Sequence, residues 1–195
     1  MQKVDENVAV LDACVLYPAP LRDFLLHIAD LGVYQPKWSE IIHNEWGRNL
    51  LKNRPDLSDE KIKNTIEVMN NAFPDARVKD FEVFMEDIIL PDKDDRHVLA
   101  AAIVANAKYI ITFNLKDFPL NILSKWNIIA LHPDSFIFNI GQKSPFLLQK
   151  AFENQVNSLK NPPKTKMEVL EKLKTCGLEN SVNHLREFYA MFDII

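Results

Sequence analysis

Short apolar segments that favour β-strands alternate with amphipathic helical segments along the first two thirds of the chain. The first segment, Asn7–Leu16, starts with a continuous apolar run that ends at Asp12, which is typical of a strand buried in a parallel sheet. Two of the helical segments follow a serine, Ser39 or Ser58, a residue that commonly caps a helix N-terminus. This alternation predicts an α/β fold over residues 1–139, with a mostly parallel central sheet flanked by helices.

The last part of the chain has a different pattern. Residues 140–195 show helical periodicity, interrupted at Asn161-Pro162-Pro163 and at Gly177, because proline and glycine end helices. We therefore predict two domains, a sheet-containing domain at 1–139 and a helical C-terminal extension at 140–195.

Composition and charge limit the classes of function. The net charge is −4, so bulk attraction to nucleic acid is not expected and the acidic residues need another use, such as binding cations. The two cysteines and five scattered histidines do not have the spacing of a zinc site. The N-terminal segment lacks the pattern of a secretory leader, and no run approaches the roughly 20 apolar residues that span a bilayer. We expect a cytoplasmic protein without a membrane segment.

Acidic residues follow two of the predicted strands. Asp12 ends the first strand, and Asp117 follows the strand predicted at 108–113 after a short turn. Because ligands bind beyond the carboxyl ends of strands in an open parallel sheet, we expect both side chains at one edge of the sheet.

Two further acids lie on helices at positions that are predicted to face inward. Glu45 follows Ile41 and Ile42 by four and three residues, and Asp95 precedes Leu99 by four residues. Residues at these spacings share one face of a helix. Taken singly, each acid has an ordinary structural explanation, a boundary position or a helix cap. Taken together, they can point to the same edge as the strand-terminal acids.

Carboxylates that converge without a cation repel one another and raise their pKa values. The four acids predicted to converge are Asp12, Glu45, Asp95 and Asp117. A hard divalent ion relieves this repulsion, and ligation by oxygen alone favours Mg²⁺ or Mn²⁺ over zinc. We predict a metal site formed by these acids, and assign the neighbouring Asp92 and Asp94 to helix capping.

Several segments of the chain resemble the PIN-domain family, and more narrowly its VapC-like branch of toxin ribonucleases. They are "VLDACVLYP", "PKWSEIIHNEWGRNL", "DDRHVLAAAIVANAKYIITFNLKDFP" and "HPDSFI". The resemblance covers about residues 7–138, in the order expected for the family, and the helical extension is similar to that of one VapC subgroup. It implies a PIN-like fold and assigns Asp12, Glu45 and Asp95 as metal-binding acids.

The fourth ligand position differs from the common family pattern. The family often has Thr-x-Asp where this chain has Thr112-Phe113-Asn114, so the resemblance makes Asp117 the fourth carboxylate. Asn114 is then expected either to bind the metal through its amide oxygen or to orient a water, and Thr112 to support the ligands. Cys14 stands where the family commonly has asparagine, which removes a hydrogen-bonding amide beside Asp12.

The resemblance also implies an activity and partners. It predicts an endoribonuclease of a type II toxin–antitoxin system that uses Mg²⁺ (Mn²⁺ as a substitute) to hydrolyse RNA and leaves a 5′-phosphate and a 3′-hydroxyl. A cognate antitoxin protein and a homodimer are expected. Arg48, Arg96 and Lys116 flank the acids and are either RNA phosphate contacts or solvated charges, whereas His97 is interpreted as structural.

Other functions remain open at this stage. The main alternative is a PIN-fold binding module with weak or no catalysis, and a DNA-directed nuclease would share the same acids. In the C-terminal extension, apolar stripes such as Val182, Leu185 and Tyr189 predict packing against the domain or docking of an antitoxin helix. Its lysines could instead contact RNA; they are Lys160, Lys164, Lys166, Lys172 and Lys174.

Overall fold

A parallel four-stranded sheet forms the centre of the fold. The computed structural model describes residues 7–192, and its strands are β1 (Val8–Leu11), β2 (Gln35–Lys37), β3 (Tyr109–Ile111) and β4 (Ile129–Leu131). Their order is β2-β1-β3-β4, with each neighbouring pair parallel. The predicted α/β fold with a parallel sheet is therefore confirmed. Strand order reverses between β1 and β3, and this is the point at which α/β sheets open a crevice for ligands.

Ten α-helices accompany these strands within residues 7–192. They are α1 (Ala13–Leu16), α2 (Ala19–Asp30), α3 (Glu40–Asn53), α4 (Asp59–Ala72), α5 (Arg96–Val104), α6 (Leu120–Leu123), α7 (Pro133–Lys143), α8 (Pro145–Ser158), α9 (Lys166–Thr175) and α10 (Glu179–Met191). Ser39 and Ser58 are the N-caps of α3 and α4, and each hydroxyl accepts a backbone amide of the first turn. Both predicted caps are confirmed.

The chain divides into two compact units. One comprises residues 7–17 and 34–131 and contains the whole sheet, and the other comprises residues 18–33 and 132–192. The predicted domain boundary between residues 139 and 140 lies inside α7, and as a functional division of the chain it stays a prediction.

The second unit is helical, as predicted for the C-terminal extension. Phe24 of α2 packs edge-on against Phe152 of α8, with ring centroids 6.2 Å apart. Of the stripe predicted along α10, Val182, Leu185 and Tyr189 are buried, whereas its last member, Phe192, is 46% exposed. Helix α9 ends before Gly177, whose φ of +85° suits a residue without a side chain. No helix within residues 7–192 is long and apolar enough to span a membrane.

Candidate functional site

The site begins at the carboxyl ends of β1 and β3, where the strand order reverses. Asp12 follows β1, and its amide donates to the carbonyl of Ile111 in β3 at 3.1 Å. The hydroxyl of the buried Thr112, directly after β3, donates to Asp12 Oδ2 at 2.7 Å. Burial raises the pKa of Asp12 although this hydrogen bond opposes it, and the charge of Glu45 raises it further. Asp12 is thus a buried carboxylate held by the end of the neighbouring strand.

Cys14 contacts the same carboxylate oxygen of Asp12 as Thr112 does. Its thiol donates to Asp12 Oδ2 at 3.0 Å, and its sulfur accepts the amide of Phe113 at 3.3 Å. Burial, and then the charge of Asp12, raise the pKa of the thiol, so the thiol keeps its proton and can donate. Cys14 lacks the amide of an asparagine, but its sulfur makes a donor contact and an acceptor contact of its own beside Asp12.

Asp95 occupies the N-cap position of α5 but does not act as a cap. Its side chain accepts no capping hydrogen bond, so the ordinary structural explanation for this acid fails. Burial first, and then nearby negative charges, raise the pKa of Asp95 to about 7. The residues that supply these charges are Asp12, Asp92, Asp117 and Glu45. The structure thus places the carboxylates of Asp12, Glu45 and Asp117 within electrostatic reach of Asp95.

Asp92 contributes more to the site than the sequence indicated. Its carboxylate accepts the amide of Asp94 at 2.9 Å in the turn that precedes α5, which agrees with a local capping role. Its charge also raises the pKa of Asp95, ahead of the charges of Asp117 and Glu45. The spacing of three residues between Asp92 and Asp95 was the available signal for this proximity.

Glu45 lies at the edge of the inward face of α3 rather than on its fully buried part. Its side chain is 37% exposed, and Ile41, one turn earlier, is also 37% exposed, whereas Ile42 and Trp46 are buried. The apolar stripe therefore runs through Ile42 and Trp46 and leaves Ile41 and Glu45 along its border. Glu45 Oε2 lies 3.4 Å from Nε2 of the buried His97 on α5, a contact that the sequence did not predict.

Asp117 and Asn114 belong to the segment after β3. Asp117 ends a short 3₁₀ turn, Leu115–Asp117, and is partly exposed. Asn114 is exposed, and its backbone amide donates to the Thr112 hydroxyl at 2.9 Å. Thr112 therefore links the Asp12 carboxylate to the segment that carries Asp117.

The three basic residues predicted to contact RNA have different surroundings. Arg48 and Lys116 are exposed. Arg96 is partly buried, and its Nε donates to the carbonyl of Lys93 at 2.9 Å, so one of its donors is committed to the backbone. A phosphate-binding role for these residues stays a prediction.

The donor set fits a hard cation in its chemistry. The acids supply carboxylate oxygens, and burial, followed by the charges of the neighbouring acids, raises the pKa of Asp95. Within residues 7–192, no three His, Cys, Asp or Glu side chains already lie close enough together to hold one metal ion. Glu45 and Asp117 are both partly exposed.

Comparison with known proteins places the chain in a family. Residues 8–116 match the PIN domain, which is more than half of the chain, and the protein belongs to the PIN-domain family. Residues 133–187 match the family described as the VapC50 C-terminal domain. Asp12, Glu45, Asp95 and Thr112 lie inside the PIN-domain match, whereas Asp117 lies just beyond it.

One similar protein is the "Putative ribonuclease VapC50" of Mycobacterium tuberculosis. It is 38% identical over 79 residues, which are 40% of this chain and 47% of that protein. The match thus spans about half the length of this curated relative. No solved structure gives a significant match.

Proposed function

We propose that this protein is a Mg²⁺-dependent endoribonuclease and the toxin of a toxin–antitoxin pair, acting in the cytoplasm, with Mn²⁺ as a substitute metal. Membership of the PIN-domain family supports this proposal, as does the similarity to a protein named as a ribonuclease. RNA is the proposed substrate, a cognate antitoxin protein the proposed inhibitor, and a homodimer the proposed assembly.

The observation that carries the proposal is the environment of Asp95. Its carboxyl group has a pKa of about 7 because burial and the charges of other acids disfavour its ionised form. It also accepts no capping hydrogen bond from its own helix. The surroundings of this carboxyl group disfavour its charged form, and the group caps no helix. A cation that binds there would explain both observations, since perturbed carboxylates cluster at functional sites.

The four acids would hold the cation, each in a different way. Asp12 would present a carboxylate that Thr112 and Cys14 fix through its Oδ2 atom. Asp95 would contribute from the start of α5. Glu45 and Asp117, which are less buried, would complete the set. When bound, Mg²⁺ supplies charge stabilisation at a phosphodiester and lowers the pKa of a water.

Contacts with RNA would come from charges outside the acidic cluster. Arg48 and Lys116 are exposed and would contact backbone phosphates, which supply affinity without sequence choice. The lysines of the second unit are weaker candidates because several of them form ion pairs with acids. These pairs are Lys164–Glu168, Lys166–Glu153 and Lys174–Glu179.

The alternative function is a PIN-fold binding module with weak or no catalysis. Two departures from the common family pattern favour it, namely Cys14 in the place of asparagine and Asn114 in the place of an aspartate. The acid cluster favours the nuclease over this alternative.

Cleavage of total cellular RNA tests the proposal. Wild type, Asp95→Asn and the neighbouring control Asp94→Asn are each incubated with RNA in Mg²⁺ or in EDTA, and the cut ends are mapped. We expect discrete Mg²⁺-dependent cuts with 5′-phosphate and 3′-hydroxyl ends from wild type and Asp94→Asn, and none from Asp95→Asn. Absence of cleavage by all three proteins would support the binding module. In a parallel incubation with duplex DNA, cleavage of the DNA alone would support a DNA-directed nuclease.

A further inference from the structure

Two buried histidines in the sheet-containing unit differ in how their ring nitrogens are satisfied. His43 on α3 is a fully bonded core histidine. Its Nδ1 accepts the indole N–H of Trp46 at 3.0 Å, and its Nε2 lies 3.4 Å from Asn70 Oδ1. These contacts join α3 to α4, and they account for a polar ring in the core.

His97 on α5 is equally buried but is not satisfied within the core. Its Nδ1 is buried and has no hydrogen-bond partner among the described residues. Its Nε2 lies 3.4 Å from Oε2 of Glu45. A buried polar atom without a partner reduces stability, so an apolar side chain would serve packing better at this position. The imidazole can make a polar contact with Glu45, and an apolar side chain cannot.

Charge determines which nitrogen of His97 carries the hydrogen. A ring nitrogen that faces a carboxylate attracts it only as an N–H donor, because its lone pair would otherwise oppose the negative oxygen. With hydrogen on Nε2, the ring attracts the Glu45 carboxylate across the 3.4 Å contact. The rigid position of His97 follows from its burial in the first turn of α5, two residues after Asp95.

We propose that His97 is a positioning residue that directs the Glu45 carboxylate of α3 toward Asp95 at the start of α5. Glu45 needs such a contact because its side chain is partly exposed and has several rotamers available. His97 thus connects two acids that lie on different helices. This inference rests on the proposed metal-dependent function, since it assigns a partner to one of the proposed metal ligands.

Metal affinity tests the role of His97 without depending on RNA cleavage. The variants are His97→Leu, which removes the donor; His97→Gln, whose amide nitrogen can reach the position of Nε2; and His97→Asn, whose amide is too short. Mn²⁺ is titrated into each metal-free protein by calorimetry, and thermal unfolding in EDTA reports on the fold. We expect His97→Leu to weaken Mn²⁺ binding by about 10- to 100-fold, as loss of a ligand's partner does elsewhere. We expect His97→Gln to restore most of the affinity, and His97→Asn to restore little.

A double-mutant cycle separates positioning from a general effect on the fold. We expect His97→Leu to cause no further loss of Mn²⁺ affinity in a Glu45→Gln background, because the group that it positions has already changed. Additive losses would overturn the inference. So would equal Mn²⁺ affinities of His97→Gln and His97→Asn, a comparison that remains decisive if His97→Leu does not fold.

The two proposals fail in distinguishable ways. If wild type binds Mn²⁺ and Glu45→Gln weakens that binding while His97→Leu does not, the role of His97 is overturned and the metal site stands. If wild type binds no Mn²⁺, the proposed function is overturned and the role of His97 with it.

Discussion

Two aspartates, one in each compact unit, show opposite solutions to placing a carboxylate inside a protein. Asp134 of α7 is buried in the helical unit and receives hydrogen bonds from the first turn of α10. The donors to its carboxylate are the amides of Asn180 and Ser181 at 2.9 and 2.8 Å, the Asn180 side chain at 2.8 Å and the Ser181 hydroxyl at 2.6 Å. Burial alone would raise the pKa of Asp134, but these donors outweigh burial and lower it.

Asp95 lies in the sheet-containing unit and has a different environment among residues 7–192. It stands at the start of its own helix without forming a capping bond, and burial, followed by the charges of nearby acids, raises its pKa to about 7. The difference shows that burial does not define a functional acid. A carboxylate that the fold satisfies is structural, and we propose that one that the fold leaves unsatisfied is a ligand for an external cation.

The largest effect on stability is expected from removing the satisfied acid. Asp134→Ala leaves several donors at the start of α10 without an acceptor, and we expect a loss of about 3 kcal/mol in the free energy of unfolding. Urea denaturation followed by circular dichroism measures it. Asp134→Asn keeps one acceptor oxygen and should lose less free energy of unfolding. A loss below about 1 kcal/mol for Asp134→Ala would contradict the view that the donors of α10 need this carboxylate.

The pH dependence of stability should have opposite signs at the two acids. The raised pKa of Asp95 means that its contribution to stability is complete below about pH 4 and is lost as the pH rises through about 7. The lowered pKa of Asp134 means that its contribution is complete above the unfolded-state pKa and is lost as the pH falls.

Thermal unfolding in EDTA across this pH range separates the two acids. We expect wild type to lose stability between pH 4 and 7 relative to Asp95→Asn, whereas Asp134→Asn should differ from wild type most at neutral pH and least in acid. If the stability of wild type and of Asp95→Asn changed with pH in the same way, the fold would not disfavour the charged form of Asp95.

A smaller effect is expected at Thr112, the residue that partly satisfies Asp12. Thr112→Val keeps the shape of the side chain but removes the donor to Asp12 and the acceptor for the Asn114 amide. We expect a loss of about 1–2 kcal/mol in the free energy of unfolding. Thr112→Ser is the matched control because it keeps the hydroxyl. Equal stabilities of Thr112→Val and wild type would contradict the view that Thr112 anchors Asp12.

The smallest effect is expected at Cys14. Cys14→Ala removes a weak donor to Asp12 and a weak acceptor for the Phe113 amide, and we expect a loss of about 1 kcal/mol in chemical denaturation. Cys14→Ser should lose less because its hydroxyl can make both contacts. A Cys14→Ser variant less stable than Cys14→Ala would indicate that the thiol serves packing only.

The sequence was sufficient for features set by local chemistry. The serine hydroxyls at Ser39 and Ser58 predicted the starts of α3 and α4, and the apolar run before Asp12 predicted β1. The placement of Asp12 directly after β1 also followed, because the apolar run ends there and parallel strands bring their carboxyl ends to one edge.

Features that depend on tertiary contacts could not be predicted. Helix α7 is a different case, because it was not predicted in spite of local signals: His132 caps it and Pro133 begins it. The contacts from Asp134 to Ser181 span 47 residues of sequence, and the pair of His97 with Glu45 joins two helices. No local pattern encodes such pairs. The sequence alone therefore indicates only a structural role for His97 and does not single out Asp134.

Thermal unfolding with and without Mg²⁺ tests most directly whether the unsatisfied acids exist to bind a cation. Wild type, Asp95→Asn and the control Asp94→Asn are compared at pH 8, first in EDTA and then in excess Mg²⁺. The account predicts that Mg²⁺ raises the Tm of wild type and of Asp94→Asn, whereas Asp95→Asn is at least as stable as wild type in EDTA and gains less from Mg²⁺. A lower Tm of Asp95→Asn in EDTA, with an unchanged gain from Mg²⁺, would contradict the account and make Asp95 a structural residue.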